Sequence, residues 1–265
     1  MRPEYAYTRA MRPPPAQLRL RTRSFWRSVG AVAMLSFLAL PSGGCGPEPA
    51  QERGQALASD PRLSPSPSNV FSCTTCHSVT ATPADETRTL PGPSLRGALE
   101  RPSFWGGGLH YVLDAVNQCF VDFMRGTAFS PEDANGRALL AYLRTLDAGS
   151  PELAAAVPCT VVRNIDSTYL AQLPVGDPDR GQAAYERACA YCHGRAHTGD
   201  GRIGPYVTVI PEDTLSSFGA AMTPAILVEK ARHGRYFGIA GAMPFYCREV
   251  LSDGMLSDIV AYLLK

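Results

Sequence analysis

The chain has 265 residues, with 25 Lys and Arg against 24 Asp and Glu and a formal net charge of +1. That length admits one large or two small domains, and the near balance of charge offers no basic face for nucleic acid. The total hides an asymmetry: residues 1–45 hold seven arginines and one acid, Glu4, so the rest carries 18 basic and 23 acidic side chains, a net of −5.

The amino-terminal stretch reads as an address. Residues 1–28 are rich in arginine and proline, and Val29 to Leu40 form an apolar run of 12. Such a run is too short to span a bilayer and has the length of a signal-peptide core. Pro41-Ser42-Gly43-Gly44-Cys45 follows and resembles a bacterial lipoprotein cleavage box. The resemblance implies that Cys45 becomes the lipidated first residue, anchoring the mature chain to a membrane; ordinary cleavage and an uncleaved anchor are the alternatives. All three export the remainder, into a periplasmic setting where disulfides persist. Residues 46–68, rich in Pro, Ser and Ala, are expected to be a flexible tether between the signal peptide of 1–45 and the first domain.

The first domain is expected over 69–150. It opens on Cys73-Thr74-Thr75-Cys76-His77, the attachment signature of a c-type haem. The two thiols bond to the porphyrin vinyl groups, and the histidine that follows is placed to ligate the iron. One such pentad also fits a zinc or redox Cys-x-x-Cys; its recurrence as Cys189-Ala190-Tyr191-Cys192-His193 in an exported chain sets those readings aside. Further along, Gly92-Pro93 resembles the turn that in cytochromes c sets the proline carbonyl against Nδ1 of the axial histidine. Phe104 and Trp105 are expected to line the haem crevice. Leu109, Val112, Val116, Cys119 or Phe120, and Phe123 recur at helical spacing, and Pro131-Glu132-Asp133 opens a last helix that Gly149 and Pro151 end. That last helix, with its ALLAYL run, resembles the terminal helix that class I cytochrome c domains pack across their first.

Residues 151–176 are expected to be a linker without a clear helix, and 177–265 a second domain of the same kind. Asp177-Pro178 caps a helix that runs into Cys189, Cys192 and His193, and Ile203-Gly204-Pro205 repeats the histidine-orienting turn. Met243 sits in a loop bounded by glycine and proline before the final helix, the place from which such domains supply the second axial ligand. A thioether there raises the potential. Met222 and Met255 are expected to pack in the core, and His197 and His233 to be solvated.

Overlaying the two domains on their AYL tripeptides exposes a deletion in the first. From the glycine of Arg125-Gly126 or His233-Gly234 to that tripeptide, domain two has residues 235–260 and domain one only 127–140, so the methionine loop is missing. The first iron's distal ligand must then come from elsewhere, with Cys119, Met124, His110 or an open position as candidates. Val116-Asn117-Gln118-Cys119-Phe120 resembles the segment that supplies a haem-ligating cysteine in the diheme thiosulfate dehydrogenase family. The resemblance implies a His/Cys first haem of low potential and a His/Met second haem. Under it Cys159 and Cys247 are left to pair; with Met124 as ligand, a Cys119–Cys159 pair is the alternative.

The sequence thus predicts an all-α protein of two tandem cytochrome c-like domains carrying two covalent haems c. It is expected to move single electrons between redox protein partners, other cytochromes or respiratory complexes. The rival reading is an oxidoreductase of a small sulfur anion such as thiosulfate, with the first domain catalytic.

Overall fold

Prolines and glycines punctuate segments of helix formers, and the result is a chain of helices joined by ordered loops. The computed structural model describes residues 48–80, 87–147, 159–237 and 241–265, and among them every regular element is helical. These residues belong to one compact unit with two hydrophobic clusters. The expected signal peptide with Cys45 lies outside the described residues, as do Gly149 and Pro151.

Two helix pairs repeat one design. In the second half, α6 (Pro178–Ala188) crosses α10 (Asp253–Leu263). Asp177 caps α6 by accepting from the amides of Asp179 and Arg180, and Ser252 caps α10 by accepting from that of Met255. The crossing is close because Gly181 has no side chain: a Cβ there would lie 2.7 Å from Cβ of Tyr262 and collide with the Asp258 carbonyl. In the first half, α1 (Ala50–Ser59) crosses α4 (Ala134–Asp147) in the same way. A Cβ on Gly54 would meet the Ala138 carbonyl and lie 2.7 Å from Cβ of Tyr142. Each small residue lets its helix settle into the groove of its partner.

Helix α1 corrects the tether expected over 46–68. Pro and Ser dominate that segment as a whole, yet Ala50–Ser59 is locally made of good helix formers, and Gly54 and Ala58, one turn apart, face α4. Ala58 is 1% exposed. The linker is corrected too: α5 (Ser167–Gln172) forms inside 151–176, capped by Asp166, and buries Tyr169.

Short elements carry the two pentads. Helix α2 (Cys73–Cys76) begins at a reciprocal cap between Ser72 and Thr75, and α7 (Ala190–His193) continues α6 after a break at Cys189. Helix α3 (Val112–Asp122) lies over the first pentad and α9 (Thr223–Phe237), broken at Gly234, over the second; α8 (Glu212–Phe218) leads into α9. The first cluster gathers Phe71, Phe120, Met124, Phe129, Leu139 and Tyr142, and the second Tyr185, Leu227, Val228, Leu251, Ile259 and Leu263.

Candidate functional site

Each pentad winds into a short helical turn that carries two thiols and the histidine after them. His77 is fixed through Nδ1, which donates to the Pro93 carbonyl at 2.7 Å. Gly92 makes this possible, since a Cβ there would overlap the imidazole. The turn resembling Gly-Pro therefore does what the sequence predicts. His193 is fixed in the same manner, Nδ1 donating at 2.9 Å, but to Thr208. This corrects the expectation for Ile203-Gly204-Pro205. The amide of Ile203 bonds the Cys192 carbonyl as that of Gly92 bonds the Cys76 carbonyl, yet the next residues turn outward, Gly204 closing on Val70, so the accepting carbonyl comes later.

With Nδ1 committed to a carbonyl, each ring keeps Nε2 to bind a metal, and the tautomer is set. Burial lowers the pKa of both imidazoles, holding them neutral as a ligand must be. Burial also lifts the thiols: Cys73 to about 11, Cys76 and Cys189 to about 12. Two thiols and one oriented imidazole per turn, backed by apolar side chains, are the donor set that a covalently attached haem requires.

The distal candidates divide clearly. Met243 is half-buried against the cluster that also receives Cys189 and Ala190, and its carbonyl accepts from the amide of Arg235 at 2.8 Å. Around the first pentad, Cys119 is a free thiol in α3 whose pKa is raised by burial and then by the charges of the Cys73 and Cys76 thiolates. Met124 lies just past the end of α3, 4% exposed, in the cluster on which Cys73 packs. His110 is exposed, its ring directed at the Pro102 carbonyl. Trp105 stacks on Phe123 at 6.0 Å and leans on Phe245 at 5.9 Å, joining the α3 wall to the Met243 loop.

Cys159 and Cys247 form a disulfide, the pairing implied with Cys119 as ligand. It closes a separation of 88 residues, for which chain entropy gives about 4–5 kcal/mol of stabilisation. Two expectations are corrected. Met222, expected in the core, is 55% exposed, just after the positive-φ glycine, Gly219, that ends α8. His233, expected in solvent, is buried and bonds Glu229 and the Val162 carbonyl, both at 2.7 Å. His197 is exposed and paired with Glu212, and Met255 packs on the second cluster.

Several residues near the pentads give no sign of themselves in the sequence. The amide of Thr89 bonds the Arg187 carbonyl at 2.8 Å, and the Tyr246 hydroxyl bonds the Ala188 carbonyl at 2.7 Å, so both brace the turn before Cys189. Arg232, wholly buried, bonds Tyr169, Asp253 and the carbonyls of Tyr246 and Leu251. Helix α1, by contrast, has a legible mark: Arg53-Gly54-Gln55-Ala56 repeats Arg180-Gly181-Gln182-Ala183.

A helix pair crossing at glycine, above a turn with two thiols and a carbonyl-oriented histidine, defines a covalent-haem electron-transfer domain. Residues 176–263 match the family model described as cytochrome C oxidase, cbb3-type, subunit III, and this part of the chain is a cytochrome c domain. No curated protein sequence matches the chain. Among solved structures, thiosulfate dehydrogenase (TsdBA) from Marichromatium purpuratum in its as-isolated form is similar at 19% identity and a TM-score of 0.40. The match covers 84% of this chain and 48% of that one, so this chain spans about half that length. Cytochrome c domains work with redox partners and are usually exported. No helix among the described residues is long and apolar enough to cross a membrane.

Proposed function

We propose that the chain is an exported diheme cytochrome c that passes single electrons between periplasmic or membrane respiratory partners, held at a membrane through Cys45. Its two haem domains are built on α1 to α4 and on α6 to α10. Carrying this reading is the duplicated turn: two Cys-x-x-Cys-His pentads, each with the histidine Nδ1 spent on a backbone carbonyl. Bound haem supplies reversible one-electron chemistry at iron. The chain's own residues do the rest. Cys73, Cys76, Cys189 and Cys192 form the thioether links, His77 and His193 present Nε2, and Pro93 and Thr208 fix those rings. Met243 would supply the second iron's further ligand and Cys119, the free thiol of α3, that of the first; Met124, in the cluster on which Cys73 packs, is the alternative.

Mass spectrometry of protein matured with haem-attachment machinery tests the reading: Cys76→Ala and Cys192→Ala should each reduce stably bound haem, and a full complement in both would refute it. The placement of Cys119 also favours a second reading, an oxidoreductase of a small sulfur anion. Reduction of the purified protein by thiosulfate, with tetrathionate formed, would select that reading over the carrier.

A further inference from the structure

One cation, Arg88, touches both pentads. Arg88 Nη2 donates to the carbonyl of Thr75 at 3.0 Å, inside the first pentad. The same guanidinium lies 3.6 Å over the ring of Tyr191, inside the second. The next residue, Thr89, ties the segment to the end of α6 through the Arg187 carbonyl. Among the described residues no carboxylate pairs with Arg88, and its partners there are a carbonyl dipole and an aromatic face.

We propose that Arg88 is a positioning residue for electron transfer, clamping the two haem-attachment turns together and keeping between them a fixed positive charge that favours the reduced state at both. This rests on the diheme reading above. Reduction removes one positive charge from a haem iron, so a nearby cation destabilises the ferric form more than the ferrous, and the half-buried setting of Arg88 limits screening. The guanidinium reaches both turns directly, through the Thr75 carbonyl in one and the Tyr191 ring in the other. Guanidinium suits the place because one planar group can donate at its edge and stack on its face at once.

Potentiometric titration of the two-haem protein, with haem counted in the same samples, tests this. Arg88→Gln should lower both midpoints together, whereas Arg88→Lys should hold them near the wild-type values while losing thermal stability. Unmoved midpoints in Arg88→Gln, or equal shifts in the Gln and Lys variants, would overturn the electrostatic role. If Arg88→Gln does not mature, Tyr191→Leu serves instead: it releases the guanidinium to solvent, and both midpoints should again fall, with no change counting against the proposal. Fewer than two haems in the wild type would be a different failure, that of the diheme reading itself.

Discussion

Replacing Arg232 with methionine removes the hub that joins α5, α9 and the segment after Met243. Its side chain is 0% exposed and donates four hydrogen bonds, to Tyr169 Oη at 3.1 Å, to the carbonyls of Tyr246 and Leu251 at 3.1 and 2.7 Å, and to Asp253 Oδ1 at 2.8 Å. Methionine fills much of the volume, and Asp253 keeps Tyr169 and Arg248 as partners at 29% exposure, so no carboxylate is stranded. The loss lies with the two carbonyls left without these donors in the interior, at about 1–2 kcal/mol each, for a total of about 2–4 kcal/mol. For a protein of this size that corresponds to a fall in Tm of roughly 4–16 °C. Thermal and denaturant unfolding of the haem-loaded protein, followed by circular dichroism, would measure it. Because Tyr246 braces the turn before Cys189, the spectrum of the second haem should change as well. A stability loss below about 0.5 kcal/mol would refute the claim that this network holds the segment. Arg232→Lys should recover only part of the loss, since one ammonium cannot serve four separated acceptors.

Gly54→Val forces a branched side chain into the α1–α4 crossing and should cost about 1–3 kcal/mol or more, read as a lower denaturant midpoint; wild-type stability would detach α1 from the first domain. Met243→His should lower the potential of one haem and leave the other where it was, and a titration in which neither moves would remove Met243 from the ligand set. Asp258 is held below its ordinary value of 3.8 first by the side-chain hydrogen bonds from Arg180. Its folded pKa is therefore the lower one: the stabilisation is full above the unfolded pKa and vanishes as pH falls through the folded value. Asp258→Asn should destabilise at neutral pH by about 1–2 kcal/mol, with the difference from wild type shrinking below pH ~4. A difference independent of pH would contradict the assignment.

What the sequence discloses and what it hides follow from the range of the interactions. The pentads, the Gly92-Pro93 turn and the capped start of α6 are local: each is written in fewer than about ten consecutive residues, and the structure realises each in place. Carbonyl choice at His193 was not legible, because it depends on how many residues the loop from Ile203 spends before turning back. Helix α1 was hidden by averaging, as ten helix-forming residues sit inside a Pro- and Ser-rich stretch; the repeated Arg-Gly-Gln-Ala was the usable sign. His233 and Arg232 look like solvent-facing residues on any linear reading. They are buried because α5 and the Met243 loop close over α9 with acceptors already in position. The junction at Arg88 is less legible still, since it joins residues more than a hundred positions apart.

Redox titration of the purified, membrane-free wild type, with haem quantified per chain, tests the central claim most directly. The account predicts two covalent haems and two reversible one-electron transitions at separate midpoints, the lower one altered by Cys119→Ala. A single haem per chain, or two haems that titrate as one indistinguishable pair untouched by both Cys119→Ala and Met243→His, would contradict it.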